Sequence, residues 1–339
     1  MGIRGLAAFV ERCPFAWDLL SLKAQTPEEI AAGKQRPSIK LVMDGNGTLY
    51  HLYFHNNFNC VCGGQYPQFA EFVRDYFSTL LKCGFSPFVV MDGTIHPQKE
   101  ATVLSRENDL VKTVRQLTYS EKYFGRKVIP LMARQAFVEV LQELKIRVAY
   151  ADSEADAVIA SLAKANGCCA VSQDSDFFIF DLPAGYVPIE KLEVNKAGLV
   201  TARRFNRVKF MTELKIKPEM MSLLASAVGN DFVGPALLRP WHVSLGTEDE
   251  VKMPAGWVAP EGKDGKESTA AVRDAIIVRV AAFLGKYEDA DKAIAAMAAA
   301  AAEQHEKDKA ALVTVSEAAA AESAAAADKA AAGKSTGVA

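Results

Sequence analysis

Apolar residues fall in short, nearly unbroken runs separated by stretches of helical spacing, and three of these runs end on an acid. Ser38 to Met43 reads as a buried strand that passes into Asp44, after which Gly45, Asn46 and Gly47 turn the chain into an aromatic-rich helix carrying Tyr50, Tyr53 and Phe54. Residues 67 to 83 follow helical spacing, and Phe88 to Met91 forms a second strand that delivers Asp92 and then Gly93. Leu131 to Leu144 is an amphipathic helix, and a β-prone run ends at Val148 to Tyr150. Ser153 is a good N-cap for a helix whose apolar positions Ala155, Val158, Ile159 and Leu162 continue to Gly167, so Glu154 and Asp156 sit in its first turn. Cys168 to Ser172 is a third buried strand, with Asp174 and Asp176 just past its end. Strands alternating with helices predict an α/β fold around a mostly parallel sheet, whose sites lie beyond the carboxyl ends of the strands.

Each acidic element has a purely structural reading. Ser153 to Asp156 fits the capping-box pattern, acids in a first turn suit the helix dipole, and Asp-Ser-Asp after a strand is a common turn. Together they read differently. Strand ends in a βα alternation converge in space, and carboxylates gathered there repel one another unless a cation sits among them.

The remaining segments are less regular. The opening MGIRGLAAFVERC is a short amphipathic helix with Leu6, Phe9 and Val10 on one side, followed by a polar, Pro-containing connection. Between Asp92 and Leu131 lies a charged, apolar-poor segment, read either as a solvated helix or as a basic arch above the site. Tyr186 to Ile189 is β-prone, and residues 196 to 217 form the most basic stretch, where Arg203, Arg204 and Arg207 could meet a phosphate backbone. A helix from Met220 to Val228 leads to Gly229-Asn230-Asp231-Phe232, a seventh candidate acid. Residues 234 to 265 look loop-like, about 268 to 287 helical, and the alanine-dominated end reads as a frayed helix or disordered tail. The domain reading is a catalytic body over 1–233 with an arch at about 94–130, an extension over 234–287, and a tail over 288–339.

The net charge of -2 confines any nucleic-acid contact to local patches. The six cysteines include no Cys-x-x-Cys pair, and His51 and His55 do not carry zinc-site spacing, so reduced thiols and an intracellular compartment are expected. No apolar stretch approaches a membrane span.

With the acids assembled, the chain resembles the flap endonuclease superfamily, which includes the xeroderma pigmentosum G-type nucleases, and within it the asteroid proteins. The resemblance rests on MGIRGL, LVMDGNGTLYHLY, VVMDG, SEADAVIASLA, VSQDSDFFIFDL followed by GYVPI, and LLASAVGNDF, in that order over about residues 1 to 233. It implies a PIN-like flap-nuclease fold with a central, mostly parallel sheet, a helical arch and a smaller C-terminal helical part. It implies that Asp44, Asp92, Glu154 and Asp156 surround one divalent ion and Asp174, Asp176 and Asp231 a second. Oxygen ligands of this kind suit Mg²⁺ or Mn²⁺. By the same resemblance Lys99 and Arg106 are the basic pair that polarises the scissile phosphate, Tyr50 stacks on a base, and Gly2 lies close to the substrate. The implied activity is structure-selective DNA endonuclease at junctions or flaps, with RNA also open, acting as a nuclear monomer. The alternative is a catalytically silent asteroid-like scaffold that binds nucleic acid or protein. The chain departs from the family after Asp231-Phe232, where Val233-Gly-Pro-Ala-Leu-Leu-Arg-Pro replaces a Gly-rich helix-hairpin-helix and puts the grip on duplex DNA in question.

Overall fold

The computed structural model describes residues 3–23, 29, 37–58, 64–94, 100–117, 128–195, 197–230, 233, 235–246, 252–260, 269–304 and 306. In chain order its main elements are α1 (Leu6–Glu11), β1 (Trp17–Lys23), β2 (Ile39–Asp44), α2 (Gly45–His55), α3 (Tyr66–Lys82), β3 (Phe85–Met91), α4 (Glu100–Leu117), α5 (Ala133–Glu143), β4 (Arg147–Tyr150), α6 (Asp156–Asn166), β5 (Cys169–Ser172), β6 (Tyr186–Pro188), β7 (Leu192–Asn195), β8 (Leu199–Phe205), α7 (Arg207–Leu214), α8 (Met221–Val228), α9 (Pro235–Ser244) and α10 (Thr269–Leu284). Two compact units emerge: one holds Val10–Phe210, and the other joins Ile3–Phe9 to the chain from Met211 onward.

The first unit is built on one sheet with strand order β1-β8-β6-β5-β2-β3-β4, and β7 lies along β8. β6, β5, β2, β3 and β4 run parallel, whereas β8 is antiparallel to β6, β1 and β7. This is the α/β, PIN-like arrangement expected from the sequence, with a mixed but mostly parallel sheet flanked by helices. Strand alternation assigns the two faces. Leu41 and Met43 of β2 with Val89 and Met91 of β3 join a buried cluster with Leu52 and Tyr53 of α2, Phe69 and Phe77 of α3, and Phe137 and Leu141 of α5. Val42 is buried on the opposite face, where α6 packs against β2 and β5.

Chain order then fixes a crevice. From β2 the chain moves through α3 to β3 and through α5 to β4 on one side, and after α6 it returns to place β5 on the other side of β2. The order reverses between β2 and β5, and at such a switch point the loops beyond the carboxyl ends diverge and leave room for a ligand.

Several local expectations give way to tertiary structure. The connection before Ser38 holds β1, whose Leu20 and Leu22 pair with Ala202 and Val200 of β8. The basic stretch 196 to 217 contains β8 itself, in which Val200, Ala202 and Phe205 are buried. In the second unit, the loop-like region opens with α9 despite the internal Pro240. There the buried Trp241 packs edge-on against Phe283 at 5.4 Å, and His242 Nε2 lies 2.7 Å from the Ala227 carbonyl. Tertiary anchors of this kind outweigh the backbone hydrogen bond that Pro240 removes from a short helix. α8 packs against α10 in the same unit, and Arg4 N donates to the Gly229 carbonyl at 3.0 Å.

Among the described residues Cys13, Cys83, Cys168 and Cys169 are not in disulfides. No described helix is long and apolar enough to cross a membrane.

Candidate metal centre

Parallel pairing sets β2, β3 and β5 side by side, so their carboxyl ends deliver Asp44, Asp92 and the segment Asp174 to Asp176 to one edge. Asp44 is the N-cap of α2: its Oδ1 accepts from Gly47 N at 2.9 Å, and its Oδ2 accepts from Ser172 Oγ at 2.8 Å. Gly47 leaves the space that this fold-back needs, because a Cβ there would stand 2.5 Å from Asp44 Oδ2. Asp174 caps a short 3-10 turn, Ser175–Phe178, by accepting from Asp176 N at 3.2 Å. Tyr186 Oη sits beneath, 3.1 Å from the carbonyls of both Ser172 and Asp174.

Asp92 does more than end β3. Its Oδ1 accepts from Ala155 N at 2.8 Å, and its Oδ2 accepts from Asn46 Nδ2 at 2.6 Å. Gly93 N donates to the Ser153 carbonyl at 2.8 Å and Thr94 N to the Asp152 carbonyl at 3.2 Å, so the strand end and the loop before α6 are stitched together. A Cβ on Gly93 would fall 1.8 Å from the Ala151 carbonyl oxygen, a distance only glycine permits. These contacts correct the expected helix start. α6 begins at Asp156 with Ala155 as N-cap and no side-chain cap of its own, and Asp92 reaches across from β3 to satisfy that end instead of Ser153.

Electrostatics show that the acids face one another. Burial first, then the charges of Asp174, Asp44, Asp92 and Asp176, push the Asp156 carboxyl up to about 7. Burial also raises Asp44, against the opposing hydrogen bonds from Gly47 and Ser172. Glu154 is exposed in the loop immediately before Ala155. As they lie, no three described acids, histidines or cysteines close into one ligand set. The donor chemistry nevertheless fits a hard divalent cation. The edge offers only oxygen ligands of one charge sign, and the buried Asn46 Oδ1 beside Asp92 has no hydrogen-bond partner.

The family described as XPG domain containing matches residues 128–234, the span that carries Glu154, Asp156, Asp174, Asp176 and Asp231. Single-strand DNA endonuclease ASTE1 of Danio rerio is 32% identical over 243 residues, covering 69% of this chain and 33% of that protein. The chain belongs to the xeroderma pigmentosum G-type superfamily. Its likeness extends to Protein asteroid of Drosophila melanogaster, 28% identical over 195 residues, covering 57% of this chain and 21% of that one. The catalytic core of Rad2 in complex with DNA substrate is similar at 18% identity, with a TM-score of 0.43 over 73% of this chain and 70% of that one. The chain spans about a third of the length of the ASTE1 relative.

The other positions that the resemblance implies are placed as follows. Tyr50 lies on α2, 43% exposed, its ring 5.8 Å from that of Phe54. Arg106 falls on α4, while Gly2, Lys99 and Asp231 lie outside the described residues. The basic residues of β8 and α7 have acidic partners within the unit. Arg203 bonds Glu11 at 2.9 Å and lies 4.9 Å over the Trp17 ring, Arg204 bonds Asp18 at 3.0 Å, and Arg207 stands 3.5 Å from Asp181. Sequence reasoning passed over Asn46, Ser172 and Tyr186, which hold the acids in place. Asn46 sits inside the DGNG segment, which was a signal; nothing local marks Ser172 or Tyr186.

Proposed function

We propose that this chain is a divalent-metal-dependent, structure-selective endonuclease that hydrolyses DNA phosphodiester bonds with two Mg²⁺ ions, Mn²⁺ substituting. One observation carries the reading: three neighbouring parallel strands and the start of α6 deliver Asp44, Asp92, Asp174, Asp176 and Asp156 to one edge at the sheet's switch point. Asp44, Asp92, Glu154 and Asp156 would hold one ion, and Asp174, Asp176 and Asp231 the other. Bound there, the pair of ions supplies a deprotonated water and neutralises charge on the leaving oxygen.

The chain's own residues orient the reaction. Gly47 N and Ser172 Oγ fix both oxygens of Asp44, and Ala155 N and Asn46 fix both oxygens of Asp92, so the ligands are held before substrate arrives. The exposed ring of Tyr50 would stack on a base whatever its identity. Lys99 and Arg106 would draw the scissile phosphate toward the ions and stabilise its developing charge. Arg203, Arg204 and Arg207 would meet the strand's backbone only by exchanging their acidic partners for phosphate. The names of the ASTE1 relatives support single-stranded DNA as substrate.

The test compares cleavage of labelled single-stranded, 5′-flap, 3′-flap and duplex DNA in Mg²⁺ by the native chain and by Asp174→Ala. The native chain should cut the substrates that contain single strand, and Asp174→Ala should lose more than the roughly 10–100-fold typical of an outer-shell change. A native chain that cuts nothing, or an Asp174→Ala chain that cuts as well, contradicts the reading. Binding without cutting would favour the scaffold alternative.

A further inference from the structure

Beside Asp92 the edge carries a second exposed aromatic that the acids do not use. Tyr150 ends β4, which pairs with β3 so that Met91 and Tyr150 stand in register and Asp92 follows directly. The residue is 59% exposed, at the end of the sheet's edge strand. Arg134, in the first turn of α5, holds its guanidinium 5.8 Å from the centroid of the Tyr150 ring and donates from Nη2 to the Asp92 carbonyl at 3.0 Å. The exposed Leu131 and Met132 border the same surface, and Met132 N lies 3.4 Å from Tyr66 Oη.

A cation lodged against an aromatic ring, with apolar side chains beside it, matches one nucleotide unit. The ring takes a base by stacking, and the guanidinium takes the adjoining phosphate. Arg134 is also oriented by the backbone of the residue that supplies a carboxylate to the metal edge, so a phosphate held there lies next to the acids. We infer that Arg134 and Tyr150 form a nucleotide-binding subsite for single-stranded DNA on the β4 side of the carboxylate edge, next to Asp92. This rests on the nuclease reading and extends it: the strand would meet a second aromatic ring, besides Tyr50, near the acids. The subsite reads no base identity, because every base presents a π-face.

The experiment measures KM and kcat for single-stranded DNA in Mg²⁺, and Kd for the same oligonucleotide in EDTA, with native chain, Tyr150→Ala, Tyr150→Phe and Arg134→Ala. Tyr150→Ala should raise KM and Kd about tenfold with a far smaller change in kcat, and Tyr150→Phe should restore both because the ring suffices. Arg134→Ala should weaken binding and lower the dependence of log Kd on log salt by about one unit, as expected for loss of one phosphate contact. Melting of each variant by circular dichroism checks that an exposed substitution leaves the fold intact. A native chain that cuts, beside a Tyr150→Ala chain with unchanged KM and Kd, overturns the subsite alone. A native chain that neither binds nor cuts overturns the subsite together with the nuclease reading.

Discussion

Two charged regions of the same sheet are built on opposite principles. On β8 and the segments around it bases meet acids: Lys191 and Arg203 share Glu11 at 2.8 and 2.9 Å, Arg204 and Lys209 share Asp18 at 3.0 and 2.5 Å, and Lys164 and Arg207 share Asp181 at 2.6 and 3.5 Å. At the carboxyl ends of β2, β3 and β5 the acids face other acids. The difference shows in proton affinity. Hydrogen bonds from Lys209 and Asn206 hold Asp18 down to about 2, whereas burial and its carboxylate neighbours hold Asp156 up to about 7. The first region satisfies its own charge; the second leaves like charge assembled, the mark of a candidate functional site.

The largest effect of breaking this arrangement should come from the backbone beneath it. Gly93→Ala would place a methyl 1.8 Å from the Ala151 carbonyl, so the strand end must part from the loop before α6. We expect a loss of about 3 kcal/mol in urea unfolding, at the upper end for a single overpacked site. A change below about 0.5 kcal/mol would mean that the close approach is not required.

A smaller effect concerns pH. Asp156 has an ordinary value of 3.8 and is raised to about 7 in the fold, so its stability contribution is fully present below about pH 4 and lost as pH rises through about 7. In EDTA the chain should lose about 2 kcal/mol between about pH 5 and about pH 7.5, after allowance for solvent screening. Mg²⁺ should remove most of that loss by replacing the proton. Equal slopes with and without Mg²⁺ would place the cation elsewhere.

The smallest effect belongs to the paired region. Asp18→Asn should cost about 1 kcal/mol at neutral pH, since Asp18 bridges Arg204 and Lys209 in a partly exposed network. The sign with pH is opposite to that of Asp156. The Asp18 contribution is present above about pH 4 and lost as pH falls toward about 2. DNA cleavage should be little altered, and a large loss of cutting would show that this region takes part in the reaction.

Much of this contrast is visible in the sequence, for a physical reason. Parallel strands buried on both faces read as unbroken apolar runs, so Asp44, Asp92 and Asp174 stand out where the runs stop, and chain alternation is enough to bring them to one edge. What joins distant segments is not visible. The cap that Asp92 provides to Ala155 spans 63 residues, and it displaced Ser153, which has a perfect local pattern for the task. The acidic partners of the β8 arginines are hidden too, because Asp18 lies in a segment that reads as a connection and is in fact β1, paired with β8, and Glu11 ends a helix far away in sequence. Thr201 and Arg203 alternating with the apolar Val200 and Ala202 were the available sign of a half-buried strand.

The central claim is that acids from separate strands act as one cation site, and calorimetric titration of Mn²⁺ into the native chain, Asp44→Asn and Asp174→Asn at about pH 6.5 tests it most directly. The account predicts binding of two ions with release of protons, because Asp156 is still partly protonated there, and marked weakening in both variants. Native chain that takes up no Mn²⁺, or variants that bind it as tightly as native, would contradict it.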